Sequence, residues 1–250
     1  MLGFDISLHK LYALPLILLI GLSGCSSIPA DQQSDSRDPY ENKNRSIFAF
    51  NLATDDYVLE PVAKTYKDTV PLPAQTALSN HVEWVGLPST VLNSSFQGKF
   101  ENATLASLRF LVNGLTFGLV DLMENEDEPE PKDFGQTLAF TGVPEGSYLM
   151  VPLLGSHTTR SLAGRGFDFM FNPISLVGGS SAPAVRRVET PVAAITFRSN
   201  SFNVINQIKY NSIDPYARAR SAYYQRRTGQ LADILPEKAD IDDGFGAFFE

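Results

Sequence analysis

The spacing of apolar and polar residues divides the chain into an apolar start, a polar stretch and a long series of helical patterns. Leu11 to Leu22 is rich in Leu and Ile, which suits the core of a signal peptide and is too short to span a bilayer. Residues 26–37 have no apolar period and predict a flexible polar tether. From Asp38 onward, apolar residues recur at helical spacing, so the rest of the chain is predicted to be mainly α-helical.

The first helical pattern opens with Asp38-Pro39-Tyr40-Glu41. Asp38 is suited to cap a helix, Pro39 to occupy its first position, and Glu41 to reach back as a capping-box carboxylate. We expect this helix to end near Glu60 because Pro61 follows. Its apolar stripe is formed by Ile47, Phe50, Thr54, Tyr57 and Val58, with Phe48 beside them. Its charged residues exclude a lipid-exposed crossing, so the helix should lie along an interface or pack on protein.

Later segments repeat the helical pattern. Helices are predicted over Ala74–Trp84, Pro88–Gln97, Lys99–Leu115, Thr158–Phe171, Pro191–Tyr210 and Pro215–Thr228. The segment 99–115 is apolar over much of its circumference, which is typical of a helix that is buried or partly faces lipid. Gly142 and Gly146 around Pro144 predict one short hairpin-like loop. The arginines and tyrosines of the last helix suit lipid phosphates or a partner, and equally an ordinary helix with cations near its negative end.

The only cysteine stands where the first apolar run ends. Leu22-Ser23-Gly24-Cys25 resembles a bacterial lipobox, in which the cysteine thiol is lipidated and becomes the new N-terminus; an ordinary secretory signal with a chance cysteine is the alternative. Ser26 follows, which resembles the sorting signal of an outer-membrane destination. The predicted organisation is a signal peptide (1–24), a lipidated flexible tether (25–37), a single helical domain (38–229) and a mobile acidic tail (230–250).

Composition narrows the range of partners and cofactors. The formal net charge of −8 and the sequence pI of about 4.9 argue against nucleic acid as a partner. With Cys25 used for lipid, no disulfide can form within the chain. The 17 Phe and 9 Tyr residues suit a membrane interface, but cores also use these side chains.

A search for catalytic chemistry finds no recognisable active site. The sequence has no Gly-x-Ser-x-Gly elbow, and His9, His81 and His157 do not form a metal or triad motif. The acidic run 124–130 lacks the glycine and ligand spacing of a calcium loop. The sequence therefore predicts no enzyme, no metal and no cofactor.

In order along the chain, the motifs resemble those of the MlaA/VacJ family of outer-membrane lipoproteins. The resemblance rests on Cys25, Asp38-Pro39-Tyr40-Glu41, Asn44-Arg45, Phe48, Phe50, Asn51, Pro61-Val62-Ala63, Arg109-Phe110, Asn113, Phe134-Gly135-Gln136-Thr137-Leu138, Gly142, Gly146, Tyr148 and Asp214-Pro215-Tyr216. It implies a ring-like monotopic protein, with amphipathic helices around a central channel, anchored in the periplasmic-side leaflet of the outer membrane. The channel would remove mislocalised phospholipids from the outer leaflet and pass them to a periplasmic lipid carrier of the MlaC type. A trimeric outer-membrane porin would accompany the ring.

The same resemblance implies which residues form or gate the channel. They are Asp38, Pro39, Glu41, Asn44, Arg45, Phe48, Phe50, Asn51, Gly142, Gly146 and Tyr148. The chain departs from the family at Asn42-Lys43, where Gly-Phe is usual, and at Pro144, where glycine is frequent. Two other functions stay open on the sequence: a phospholipase-like enzyme that modifies lipids, and a structural adaptor bound to a porin.

Overall fold

The computed structural model describes residues 35–124, 126–171 and 182–234. The predicted signal peptide, Cys25, most of the tether and the end of the tail lie outside the described residues. The prediction of a mainly α protein is confirmed, whereas the ring and its central channel stay a prediction. The elements are α1 (Glu41–Thr54), a π-turn (Asp55–Leu59), α2 (Glu60–Thr69), α3 (Leu72–Phe96), α4 (Phe100–Gly114), α5 (Phe134–Phe140), β1 (Tyr148–Val151), β2 (Gly155–Thr158), α6 (Thr159–Phe171), α7 (Ala182–Asn200), α8 (Phe202–Asn211) and α9 (Pro215–Leu231).

The prediction that Pro61 ends the first helix is wrong. The chain passes from α1 through the π-turn into α2, where Pro61 occupies one of the first two positions. A proline needs no backbone N–H at the start of a helix, and the wider i→i+5 bonding of a π-turn relaxes the ladder in front of it. A change in helix type therefore replaces the expected break.

Two other prolines also lie inside continuous helices. Pro88 lies within α3, so the two helices predicted on either side of it are one helix. Pro191 lies within α7, and the predicted helix 191–210 is in fact the second half of α7 followed by a separate α8. The cost of an interior proline is about 3 kcal/mol in an isolated helix. Packing of these helices on their neighbours offsets that cost.

The helices predicted over 99–115, 158–171 and 215–228 are confirmed as α4, α6 and α9. Asp214 caps α9, because its Oδ1 accepts the backbone N–H of Ala217 at 3.1 Å. The analogous capping role predicted for Asp38 is wrong. The helix α1 begins only at Glu41 and has no side-chain cap, while Asp38 is fully buried.

The β-hairpin stands a few residues after the loop predicted for it. β1 pairs antiparallel with β2, with Tyr148 opposite Thr158 and Val151 opposite Gly155, so the chain reverses at residues 152–154. Within that turn Leu153 adopts a positive φ of 62°. Residues 142–146 form an irregular loop that leads into β1.

The interior of the described domain is unusually polar. A hydrophobic cluster of Tyr148, Met150, Tyr216 and Tyr224 packs where β1 meets α9. Elsewhere buried polar and charged residues outnumber buried apolar ones among the described residues. Between α3 and α4 the buried side chains are small or polar, among them Asn93, Ser94, Ala103 and Ala106.

The tail does not become free at residue 230 as predicted. α9 continues to Leu231, and Leu231 and Ile234 pack with Ala139 in a second small cluster. Asp233 forms an ion pair with Lys132 at 2.8 Å. The rest of the predicted tail, from residue 235, lies outside the described residues. Over the described ranges, no helix is both long enough and apolar enough to cross a bilayer.

Candidate functional site

Helix α1 is bonded to the hairpin by two asparagine side chains. Asn44 donates from Nδ2 to the carbonyl of Tyr148 at 3.1 Å and accepts the N–H of Met150 at 2.9 Å. Two turns later, Asn51 donates to the carbonyl of Val151 at 3.0 Å and accepts the N–H of Leu153 at 2.8 Å. The two amides thus act as partners for the free edge of β1, and we call this junction the α1–hairpin contact.

Asp38 anchors the α1–hairpin contact to α9. Its carboxylate is fully buried and accepts hydrogen bonds from Asn44 Nδ2 at 2.7 Å, from one guanidinium nitrogen of Arg220 at 2.6 Å, and from the Tyr216 hydroxyl. A buried carboxylate is tolerated only when its lone pairs are occupied in this way. Asp38 therefore fixes α1 and α9 relative to each other.

A second ion pair links the same two helices at their ends. Arg45 donates to both oxygens of Asp214, at 2.7 and 3.1 Å, and to Glu41 at 2.7 Å. The bidentate bond from Arg45 holds the pKa of Asp214 below its usual value. Burial alone would raise the pKa of Glu41, but hydrogen bonds from Arg45 and Arg220 lower it. Both carboxyl groups are thus kept ionised.

Aromatic rings fill the space between the hairpin and α9. Tyr148 is fully buried and meets Tyr216, Tyr223 and Tyr224 at centroid distances of about 6 Å. Burial raises the pKa of Tyr148 to about 12, so its hydroxyl stays protonated and bonds to Ser156 Oγ at 2.8 Å. Phe48 meets Tyr216 edge-on at 5.6 Å.

The loop 142–146 is bonded to α6. Arg160 donates to the carbonyl of Val143 at 2.8 Å, and its backbone N–H donates to the carbonyl of Glu145 at 3.1 Å. Gly146 has a positive φ of 73°, and a Cβ there would lie 2.9 Å from Thr159. Only glycine fits that position without strain. Gly142 also has a positive φ but faces open space.

The structure brings together most, but not all, of the predicted gating residues. Those that meet in the α1–hairpin contact or beside it are Asp38, Glu41, Asn44, Arg45, Phe48, Asn51 and Tyr148. Phe50 is 53% exposed, and Pro39 and Gly142 are also exposed. Sequence reasoning missed Tyr216 and Arg220 as members of this site, although the Asp-Pro-Tyr motif shared by residues 38–40 and 214–216 was a signal for it.

A second polar cluster, the π-turn network, surrounds Asp55. Arg198 donates to Asp55 at 2.7 and 3.1 Å, and Lys209 bonds to Asp55 at 2.8 Å and to Glu60 at 2.5 Å. Burial would raise the pKa of Asp55, but the hydrogen bonds from Arg198 and Lys209 hold it below its usual value. The hydrogen bond from Lys209 lowers the pKa of Glu60 as well. The network ties the π-turn to α7 and α8.

A cavity of about 560 Å³ lies against α3 and α4, beside the acidic loop; we call it the α3–α4 cavity. Its wall includes Glu83, Trp84, Arg109, Asp121, Glu128 and Lys132. Arg109 is 6% exposed and bonds to Asp121 at 2.7 Å and to the carbonyl of Met123 at 2.8 Å. The cavity lies within the size range of small-molecule sites and combines charged groups with an indole face.

Large apolar side chains are exposed on α4, in the segment that follows it, and on several other elements of the described chain. Leu111 is 67% exposed, Leu115 80% and Phe117 72%. Others with large exposed areas are Tyr57, Leu72, Phe96, Phe100, Leu108, Phe140, Phe169 and Phe197. Where such exposed side chains adjoin one another, they mark a surface suited to contact with lipid or a partner.

The fold thus defines a mainly helical protein with a polar, ion-paired interior and many exposed apolar side chains. The family to which it belongs follows from comparison with known proteins. The MlaA lipoprotein family model matches residues 36–230, and the chain belongs to that family.

Characterised relatives share about a third of its residues. The intermembrane phospholipid transport system lipoprotein MlaA of Shigella flexneri is 32% identical over 212 residues, which is 82% of each chain. The protein of the same name from Haemophilus influenzae is 31% identical over 240 residues, covering 91% of this chain and 94% of the relative. A solved structure from work on the structural basis for maintenance of bacterial outer membrane lipid asymmetry aligns with a TM-score of 0.66 and 32% identity, covering 76% of this chain and 96% of that one.

Proposed function

We propose that this protein moves phospholipids out of the outer leaflet of the outer membrane and so maintains its lipid asymmetry. It is anchored through lipid on Cys25 in the periplasmic-side leaflet and needs no covalent chemistry. Relatives named for intermembrane phospholipid transport support this role. Transferred phospholipids leave through a central channel to a periplasmic carrier of the MlaC type, beside a trimeric porin.

The observation that carries the proposal is the polarity of the helices. Their exposed faces hold large apolar side chains such as Leu111 and Leu115, while ion pairs such as Arg109–Asp121 lie inside. A phospholipid needs an apolar path for its acyl chains and a polar path for its headgroup. Helices with one apolar and one polar face supply both.

The α1–hairpin contact is the proposed gate. It joins α1, the hairpin and α9 through buried hydrogen bonds that exist only when the elements are in register. Such networks favour two discrete arrangements over gradual deformation. Opening would require the amides of Asn44 and Asn51 to leave β1 together.

The test is a deletion strain complemented with the full-length chain or with Cys25→Ser. We expect the deletion to raise outer-leaflet phospholipid and detergent sensitivity, the wild-type chain to restore both, and Cys25→Ser to fail. Unchanged outer-leaflet phospholipid in the deletion would refute the proposal. Release of lysophospholipid by the purified protein would instead favour an enzyme, and crosslinks to a porin without bound lipid would favour an adaptor.

A further inference from the structure

The segment between α4 and the acidic run presents large apolar side chains to the outside of the protein. We call residues 115–122 the apolar loop. Its large apolar side chains are 43–80% exposed, and they are those of Leu115, Phe117, Leu119, Val120 and Leu122. In water, exposure of so much apolar surface within one short loop is unfavourable. The surrounding that the apolar loop requires can be inferred from its backbone and its charges.

The backbone of the apolar loop is hydrogen-bonded within the protein. Each N–H from Leu115 to Val120 donates to an oxygen of the chain, with N···O distances of 2.8–3.2 Å. The carbonyl of Asn113 accepts two of these N–H groups, and its side-chain oxygen accepts the N–H of Leu122 at 2.9 Å. A loop in water can leave its N–H groups to the solvent, whereas hydrocarbon offers them no acceptor. The complete bonding of these groups therefore favours lipid as the surrounding of the loop.

The charges near the apolar loop are either paired or lie beyond it. The sequence has no charged residue between Arg109 and Asp121, and these two form an ion pair at 2.7 Å. The next charged residue is Glu124, which is exposed and begins the acidic run. Carboxylates are costly in hydrocarbon, so the acidic run marks where the chain returns to water.

The apolar loop is seated on α3 in a fixed conformation. His81 Nδ1 lies 2.7 Å from the carbonyl oxygen of Phe117, and Gly118 packs directly against the indole of Trp84. Phe117 has a positive φ of 54°, which residues other than glycine rarely adopt. Such strain persists only where the surrounding structure fixes the backbone. The fold therefore holds the Phe117 ring outward instead of leaving it on a flexible linker.

We propose that the apolar loop inserts into the hydrocarbon of a lipid leaflet and is a second membrane anchor, separate from the lipid on Cys25. The side chains of Leu115 and Phe117 enter the acyl-chain region, and the acidic run from Glu124 stays in water. The inference rests on the membrane setting of the proposed function and adds to it the surface that enters the bilayer. It fixes which end of α4 points toward the acyl chains.

The test measures the depth of the apolar loop in the full-length lipidated protein, reconstituted into vesicles of phosphatidylethanolamine and phosphatidylglycerol. Because the chain has a single cysteine, which carries the lipid, an introduced cysteine is the only thiol open to a nitroxide label. Electron paramagnetic resonance then compares collisions of the label with oxygen, which enters hydrocarbon, and with a water-soluble nickel chelate. We expect the oxygen-to-nickel ratio to be severalfold higher for Phe117→Cys and Leu115→Cys than for Glu124→Cys.

Glu124→Cys is the matched control, because Glu124 is also exposed and lies only seven residues after Phe117. The fold of each labelled variant is checked by the emission of Trp84, the only tryptophan of the chain, which lies against the loop at Gly118. If Phe117→Cys changes that emission, Leu115→Cys decides the test, since the backbone of Leu115 is in the ordinary right-handed region.

Two outcomes would overturn the inference. Labels at positions 115 and 117 that meet the nickel chelate as often as the label at position 124 would place the loop in water. Labels shielded from both reagents would show that a second copy of the protein covers the loop instead of lipid. Either result would leave the transport proposal intact, because that proposal is tested by outer-leaflet phospholipid in the deletion strain. Conversely, an inserted loop in a protein whose deletion changes no outer-leaflet phospholipid would defeat only the transport proposal.

Discussion

At the scale of single residues, Asn44 does the most to hold the α1–hairpin contact together. It is 2% exposed and bonds to Asp38, to the carbonyl of Tyr148 and to the N–H of Met150. Each of these groups is cut off from water once the protein has folded. No other residue type offers a donor and an acceptor on a side chain of this length.

We therefore expect Asn44→Leu to lower stability by about 3 kcal/mol, because buried polar groups lose their partners. For a domain of this size that corresponds to a fall of about 6–12 °C in Tm, measured by thermal unfolding in detergent. Asn42→Leu is the control, since Asn42 is exposed on the same helix. Equal Tm values for the two variants would contradict the role given to Asn44.

Gly118 allows a second prediction at this scale. It has a φ of +71°, and a Cβ there would overlap the side chain of Trp84. Gly118→Ala should therefore lower Tm by several degrees, through backbone strain and displacement of the indole. Gly86→Ala, in the interior of α3 with nothing within 4 Å of its Cβ, should leave Tm unchanged or raise it slightly. The reverse order of the two effects would contradict this account.

Asp38 and Asp214 show what the sequence could not predict at the residue scale. Both precede Pro-Tyr, and both were expected to cap a helix. Asp214 does so, but Asp38 turns inward to Arg220 and to Tyr216, 178 residues away in sequence. Capping is a local rule, whereas the choice between a cap and a buried ion pair depends on what the rest of the fold places nearby.

At the scale of elements, the π-turn network is a highly charged junction between helices. Asp55, Asp56, Glu60 and the Tyr210 hydroxyl surround Lys209. Sequence periodicity identified α4 because its apolar stripe is regular, and the Asp214-Pro215 start identified α9. Sequence periodicity could not reveal the π-turn. One extra residue in a helical turn displaces the apolar stripe by less than the distance between neighbouring apolar residues in that stripe.

The π-turn network predicts a dependence of stability on pH. The pKa values of Asp55 and Glu60 are lowered in the fold, so these groups stabilise it above their unfolded pKa of about 4 and lose that contribution as the pH falls further. Lys209→Met removes a cation that both carboxylates share. We expect a lower Tm at pH 7 and a smaller fall in Tm between pH 7 and pH 3 than in the wild type.

Lys64→Met is the control for this comparison, because Lys64 is exposed on α2. It should show the same fall in Tm as the wild type. If Lys209→Met showed the full wild-type fall between pH 7 and pH 3, the network would not be the source of the pH dependence.

The hairpin supplies a further prediction at the element scale. Asn51→Ala removes the acceptor for the N–H of Leu153 and the donor for the carbonyl of Val151. Hydrogen exchange of the Leu153 N–H should become about fivefold faster or more, since one net hydrogen bond contributes about 1 kcal/mol. Ser46→Ala, whose hydroxyl bonds only within α1, should leave exchange in the turn unchanged. Identical exchange rates in the two variants would show that Asn51 does not stabilise the turn of the hairpin.

At the scale of the whole molecule, the exposed apolar side chains are the property that supports the proposed membrane setting. Leu111, on α4, is 67% exposed, and Leu115, the residue that follows α4, is 80% exposed. A water-soluble fold gains nothing from such exposure, whereas contact with hydrocarbon removes its cost. The polar and charged residues, in turn, are collected in the interior of the described domain.

We expect Leu111→Glu/Leu115→Glu to leave Tm in detergent nearly unchanged, because neither side chain is buried. The same variant should leave the membrane fraction in part and fail to restore detergent resistance to a deletion strain, since charge on a lipid-facing surface is costly. Lys64→Glu, on an exposed position of α2, should behave as wild type. Full complementation by the double variant would show that this face does not meet lipid.

The helical class could be recognised from the sequence, because helical spacing and an ordered set of motifs carry that information. Most of the residues predicted to gate the channel lie together in the α1–hairpin contact, and their gating role stays a prediction. The α3–α4 cavity could not, since Glu83 and Glu128 lie in different segments with no motif between them. The sequence also could not show which apolar residues are buried in the protein and which are exposed. A stripe of leucines has the same sequence pattern whether that face of the helix contacts protein or lipid.

One consequence of the α1–hairpin contact concerns aggregation. A two-stranded ribbon normally leaves an edge of unpaired backbone groups, which can recruit extended segments of unrelated chains. Here the carbonyl of Arg37 accepts the N–H of Tyr148, and Asn44 and Asn51 occupy the following sites along the same edge. Helix α1 thus takes the place of a third strand along the β1 edge, and the backbone groups bonded there cannot recruit another extended segment.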